Sequence, residues 1–154
     1  MTRKGITALA TLAIAWFAQT PTATADPQSR AEAGGMNIRI VADGREIHAS
    51  LEDSAAARDF AALLPLELTL SDYHGIEKVA DLPSRLSTDD APEGIDPAVG
   101  DITYYAPWGN LAIFYRDFGY SRGLVRLGRI TNGVQHLENT DSVNARIELA
   151  PERS

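Results

Sequence analysis

This chain of 154 residues contains no cysteine. That excludes disulfides, thiol nucleophiles, thiolate metal sites and attachment of a lipid through a Cys. Basic residues are also scarce: 14 Lys and Arg stand against 21 Asp and Glu, a formal charge of −7. Nucleic acid is a poor partner for such a chain, because its phosphates demand a basic face. Adhesion to an anionic membrane surface is excluded on the same ground. An acidic surface mainly keeps a protein soluble and monomeric. No apolar run approaches the ~20 residues of a membrane-spanning helix. No internal repeat is visible. His48, His74 and His136 stand alone, with no i+2, i+3 or i+4 pair, so imidazole metal ligation lacks its usual spacing.

At the N-terminus, Arg3 and Lys4 precede an apolar stretch, Ile6 to Ala18, broken only by Thr7 and Thr11. Ala23-Thr24-Ala25 then offers small residues at −3 and −1 ahead of Asp26. This is the layout of a cleavable secretory signal over residues 1–25, and it predicts a periplasmic or secreted protein cut after Ala25. Cleavage removes two basic residues and no acid, so the charge becomes −9. No stable membrane insertion is expected after cleavage. Residues 26–36 begin DPQSRAEAGG and read as a flexible lead-in. Residues 37–150 then fit one domain, long enough to bury a core without staples.

Alternation with period 2 dominates from Met36 onward. Ile38 and Ile40, then Ile47, Ala49 and Leu51, alternate with polar residues around Asp43-Gly44, a strong hairpin signal. A helix follows, capped by Asp53 or Ser54, with Ala57, Phe60, Ala61 and Leu64 on one face; Pro65 stops it. Leu66, Leu68 and Leu70 mark a further strand. Gly75 to Gly100 reads as a long irregular loop, broken by Pro83, Pro92, Gly94 and Pro97. Asp101–Ala106 and Leu111–Arg116, rich in Ile, Tyr and Phe, form a hairpin around the turn residues Pro107-Trp108-Gly109-Asn110. Leu124–Thr131 is a strand with Gly128 as a bulge or point of close approach. Asn132–Thr140 suits a short second helix, and Ala145, Ile147 and Leu149 a closing strand. Many short strands with few crossover helices predict an all-β fold with minor α, a closed barrel.

The segments ARDFAALLPLELTLSDYHG, LPSRLST, GDITYYAPWGNLAIFY and DFGYSRGLVRLGRITNG occur in this order between Met36 and Gly133. Along them the chain resembles the small bacterial cyclophilin-like fold proteins. The resemblance implies an eight-stranded β-barrel capped by two short helices. True peptidyl-prolyl isomerases of this fold carry an Arg shortly before a Phe-Met-x-Gln-Gly-Gly stretch, with a downstream Trp and His. This chain has no Gln-Gly-Gly, and neither Trp108 nor His136 sits in the corresponding motif.

Other motifs have the form of chemical sites without their context. Gly119-Tyr120-Ser121-Arg122-Gly123 has the G-x-S-x-G form of a nucleophile elbow. The elbow requires a helix after the Ser, whereas LVRLG reads as strand, and no acid lies between Ser121 and His136. The acidic run from Ser87 to Asp96 lacks the ligand offsets of a calcium loop and reads as solvated. No catalytic residue, metal or cofactor is expected. Aromatic side chains are concentrated between Tyr73 and Tyr120. Trp108 on a turn and Tyr120 in a Gly-rich loop suit a binding surface rather than a core. Alternation sends one of Tyr104 and Tyr105, and one of Phe114 and Tyr115, out of the barrel. The candidate groove is Tyr73, Tyr105, Trp108, Tyr115 and Tyr120, with Arg85 of the LPSRLST segment as its cation.

Three functions remain open at this point. The first is a binding module for a peptide segment or small molecule, without strong catalysis and monomeric. The second is a peptidyl-prolyl isomerase-like enzyme of the cell envelope, which needs a groove that desolvates an X-Pro amide and a donor at its nitrogen. The third is an unrelated enzyme acting on a small metabolite.

Overall fold

A computed structural model describes residues 35–151. The expected signal sequence and residues 26–34 of the lead-in lie outside the described residues. The chain runs through β1 (Asn37–Ala42), β2 (Arg45–Leu51), α1 (Ala55–Ala62), β3 (Leu66–Tyr73), β4 (Glu77–Asp81), β5 (Gly94–Ile95), β6 (Asp101–Tyr105), β7 (Asn110–Phe114), β8 (Ser121–Arg122), β9 (Leu124–Asn132) and β10 (Ser142–Leu149). Eight of these close a barrel in the order β1-β10-β3-β4-β7-β6-β9-β2, and β5 and β8 form a separate ribbon. The fold is all-β with minor α, as the strand pattern predicts. The two helical caps are one α-helix and a single 3₁₀ turn, Val134–Leu137.

The alternating apolar residues become the barrel interior. Ile40 lies across from Ile47 on β2 and from Ile147 on β10, and all three are withdrawn from solvent. Asp43 and Gly44 both take positive φ, the conformation that a two-residue hairpin matching strand twist requires. Ser54 caps α1 by accepting the Ala57 N–H at 3.2 Å. The helix thereby drives Phe60, fully buried, into the main core. Leu66 and Leu68 are only half-buried, while Leu70 is buried as alternation demands.

Gly128 meets the close-approach expectation. It faces Leu51 on one side and Ile102 on the other, and a Cβ there would collide with the Ser50 carbonyl. Register shifts flank it on both neighbouring strands, at His48/Ala49 and at Ile102/Thr103. Bulges of this kind supply the bending that closes a barrel.

One expectation fails. Gly75–Gly100 is not a single loop: it contains β4, paired with β3 and with β7 in the barrel wall, and the short β5. His74 and Gly75 both have positive φ and make the turn that reverses the chain. Alternation hides β4 because the side chain it buries, Lys78, is charged. Lys78 points inward, and Glu77 and Val79, half-buried, point outward. The remaining loop is strapped down. Ser87 N donates to Asp59 Oδ2 of α1 at 2.8 Å, and Gly123 N donates to Glu93 O at 2.7 Å.

Lys78 is the charged side chain that β4 carries inward. It is fully buried, donates to Asp72 Oδ1 at 2.8 Å and to Thr140 O, and lies 5.1 Å from the Tyr115 ring centre. The Tyr115 hydroxyl donates to the same Asp72 oxygen. Hydrogen bonding from Lys78, and then from Tyr115, holds the Asp72 carboxyl down at about 2.

Candidate functional site

The register of the barrel wall determines what lies outside it. Tyr73 pairs with Glu77, Glu77 with Phe114, Val79 with Ala112, and Tyr105 with both Asn110 and Leu124. Directly paired residues share a face. Five neighbouring strands therefore present one outer surface carrying Tyr73, Glu77, Val79, Phe114, Ala112, Asn110, Tyr105 and Leu124. An apolar cluster separate from the barrel interior forms here around Ala112, Phe114 and Leu124. Phe118 and Ser121, from the segment after β7, complete a groove of about 260 Å³ with Trp108 at its rim.

The rings meet at near right angles. Trp108 stands 6.2 Å from Tyr73 at 84° and 5.3 Å from Tyr105 at 82°. Phe118 stacks on Phe114 at 6.3 Å. Trp108 is nevertheless 63% exposed, so the indole is held by two tyrosines yet open to solvent. Its turn is fixed by backbone bonds from Trp108 N and Gly109 N to Tyr105 O. Gly109 has a φ of 74°, which a side chain would strain.

Two polar groups on this apolar wall are incompletely satisfied. Asn110 is 6% exposed, and its Oδ1 finds no donor among the described residues. A buried polar atom without a partner carries a real cost. Glu77 is half-buried, and burial pushes its carboxyl from 4.5 up to about 7. No cation pairs with it among the described residues. Its sequence neighbour Lys78 faces the interior and is held by Asp72. The carboxyls on the two faces of this sheet thus move in opposite directions, Asp72 paired and lowered, Glu77 desolvated and raised.

Of the six residues expected to form the groove, Tyr73, Tyr105 and Trp108 come together in it. Tyr115 does not. It is 5% exposed and turned to the Lys78–Asp72 cluster, while its neighbour Phe114 takes the outer face. Burial, with the hydrogen bond to Asp72, raises the Tyr115 phenol to about 12. Tyr120 is exposed but lies outside the groove wall. Arg85 also lies outside it, donating to Ala106 O at 2.8 Å behind the Trp108 turn. Sequence reasoning did not reach Glu77 or Asn110. No apolar alternation marks β4 and hence Glu77, and nothing local marks Asn110.

The other motifs stay apart from this groove or lack their context. Ser121 begins the two-residue β8 and is followed by strand β9, not by a helix. His74 sits in the turn against Tyr73, while His48 neighbours Glu46 and His136 neighbours Arg45. Among the described residues, no group of three or more His, Asp or Glu is disposed to hold a metal ion.

The family model described as the cyclophilin-like family matches residues 40–148. The chain belongs to the cyclophilin-like family. A solution structure of a hypothetical protein from Archaeoglobus fulgidus, another barrel of this fold, aligns with 75% of this chain and 95% of its own. The TM-score is 0.56 at 19% identity, so the likeness speaks to fold alone. No curated protein matches the sequence.

Proposed function

We propose that this protein is a binding module, and that the outer groove beside Trp108 takes a small molecule or a short peptide segment. The observation that carries the reading is an exposed Trp held at right angles to two tyrosines over an apolar wall, with Asn110 and Glu77 unsatisfied within it. Apolar concavities with a few convergent polar groups are the usual form of ligand sites. The isomerase alternative needs a donor at the amide nitrogen. No Lys or Arg lines the groove among the described residues, and Arg85 is engaged with Ala106 O. The binding reading is therefore preferred.

We propose further that the protein acts as a monomer in the periplasm or outside the cell, after cleavage at Ala25. Intact-mass analysis of the exported chain should give Asp26 as its first residue, and recovery of the full-length chain in the cytosol would refute this.

Trp108 is the single Trp after residue 25, so its fluorescence reports on the groove directly. A library of amines, amides and short peptides should contain members that shift its emission. Tyr105→Ala should weaken those members roughly 30-fold or more, as loss of an aromatic anchor does. A library in which nothing perturbs Trp108 would end the binding reading. Acceleration of X-Pro isomerisation in a standard peptide, removed by Arg85→Ala, would install the isomerase in its place.

A further inference from the structure

We propose that the groove holds a small organic cation, an ammonium head of the choline or methylated-amine class, with Glu77 as its counter-charge and Trp108 as its aromatic wall. The proposal rests on the groove being a binding site and names the chemistry of its ligand.

The charge on the wall has one sign. Glu77 is the charged side chain among the lining residues, and nothing basic accompanies it among the described residues. Lys78 could have served from the same strand, but it points through the sheet and is held by Asp72 at 2.8 Å. A carboxyl half-withdrawn from water with no partner is costly to keep charged unless a cation joins it. Burial has already moved this one up to about 7, which is how an uncompensated carboxylate behaves. The Ser121 hydroxyl on the same wall offers a further oxygen to a cation, whereas the unpartnered Asn110 oxygen is buried behind the surface.

The aromatic geometry fits the same ligand. Ring faces carry negative electrostatic potential and attract ammonium groups, with Trp the strongest. Tyr73 and Tyr105 stand nearly perpendicular to Trp108 and make a corner instead of a stack. The indole remains open at 63% exposure. Aromatic walls and one carboxylate are the elements by which quaternary and methylated ammonium groups are recognised. A volume of about 260 Å³ suits a head group rather than a long chain. The net charge of the chain from residue 26, −9, favours approach of a cation from solution.

The test compares choline with 3,3-dimethyl-1-butanol, its uncharged isostere, by Trp108 fluorescence and calorimetry at pH 8 on the protein from residue 26. Choline should bind at least tenfold more tightly than the isostere. Glu77→Gln should lower choline affinity at least tenfold and leave the isostere unchanged, with an unaltered circular dichroism spectrum showing that the variant folds. Equal binding of the two ligands would overturn the cation assignment while leaving the groove a binding site. Binding of a lysine tripeptide without choline would overturn it in favour of a protein partner. If choline, isostere, tripeptide and the wider library all fail, the binding reading falls along with it.

Discussion

Replacing Glu77 by Gln should stabilise this protein at alkaline pH and not at acid pH. The folded chain holds the Glu77 carboxyl at about 7 through burial, against 4.5 when it is free in water. Between those values the folded state keeps a proton that the unfolded state has released. Stability therefore falls as pH rises through this window, and the loss is complete above about 7. Moving a carboxyl by this much amounts to ~3 kcal/mol, at ~1.4 kcal/mol for each tenfold. Glu77 still touches water, which screens part of that, so ~2 kcal/mol is the working figure. Gln keeps the size and shape of the side chain and removes the charge. For a domain of this size ~2 kcal/mol corresponds to roughly 6–10 °C in Tm. The assay is thermal and urea unfolding of both proteins from pH 4.5 to 8.5, followed by circular dichroism. Every other titrating group is common to the two, so the difference isolates Glu77. The curves should coincide near pH 4.5 and diverge by the full amount at pH 8. Parallel curves would refute the reasoning, because they would mean that Glu77 is solvated or paired in solution.

Phe60→Ala should cost ~3–5 kcal/mol in urea unfolding, since a fully buried ring between helix and barrel leaves a cavity behind. Trp108→Ala, at an exposed position, should cost clearly less; equal losses would mean that the indole supports the core and not a groove. Lys78→Met should destabilise by ~1–3 kcal/mol at pH 7, because Asp72 loses its cation and Thr140 O its donor. Asp72, held at about 2 by Lys78 and Tyr115, contributes stability that is present above its ordinary value of 3.8 and lost as pH falls toward 2. The variant should therefore show a shallower loss of stability between pH 4 and pH 2, and an unchanged acid limb would show that the pair contributes nothing.

The alternating stretches Ile38–Leu51 and Ala145–Leu149, with the aromatic-rich hairpin Asp101–Phe114, pointed to a barrel by themselves, because many short strands with few crossover helices leave little other choice. Asp43-Gly44, Ser54 and Pro65 determined one hairpin and both ends of α1, since each acts on the backbone within a few residues of itself and needs no distant partner. Gly128 was legible for a similar reason: a glycine inside a strong strand pattern signals close approach, and the colliding atom is the Ser50 carbonyl. Strand β4 was not legible. Its inward side chain is a lysine and its outward ones face an apolar groove, so polarity does not report direction there. The candidate site divides along the same line. Trp108 was readable from its turn, and alternation required that one of Tyr104 and Tyr105 face outward; both are local rules. Whether Phe114 or Tyr115 faced the groove was decided by the pairing of β7 with β4, which sets Phe114 beside Glu77 and turns Tyr115 to Asp72. Glu77 and Asn110 lie 33 residues apart and meet on one wall only when the barrel closes. Their chemistry comes from burial, and burial belongs to the tertiary structure.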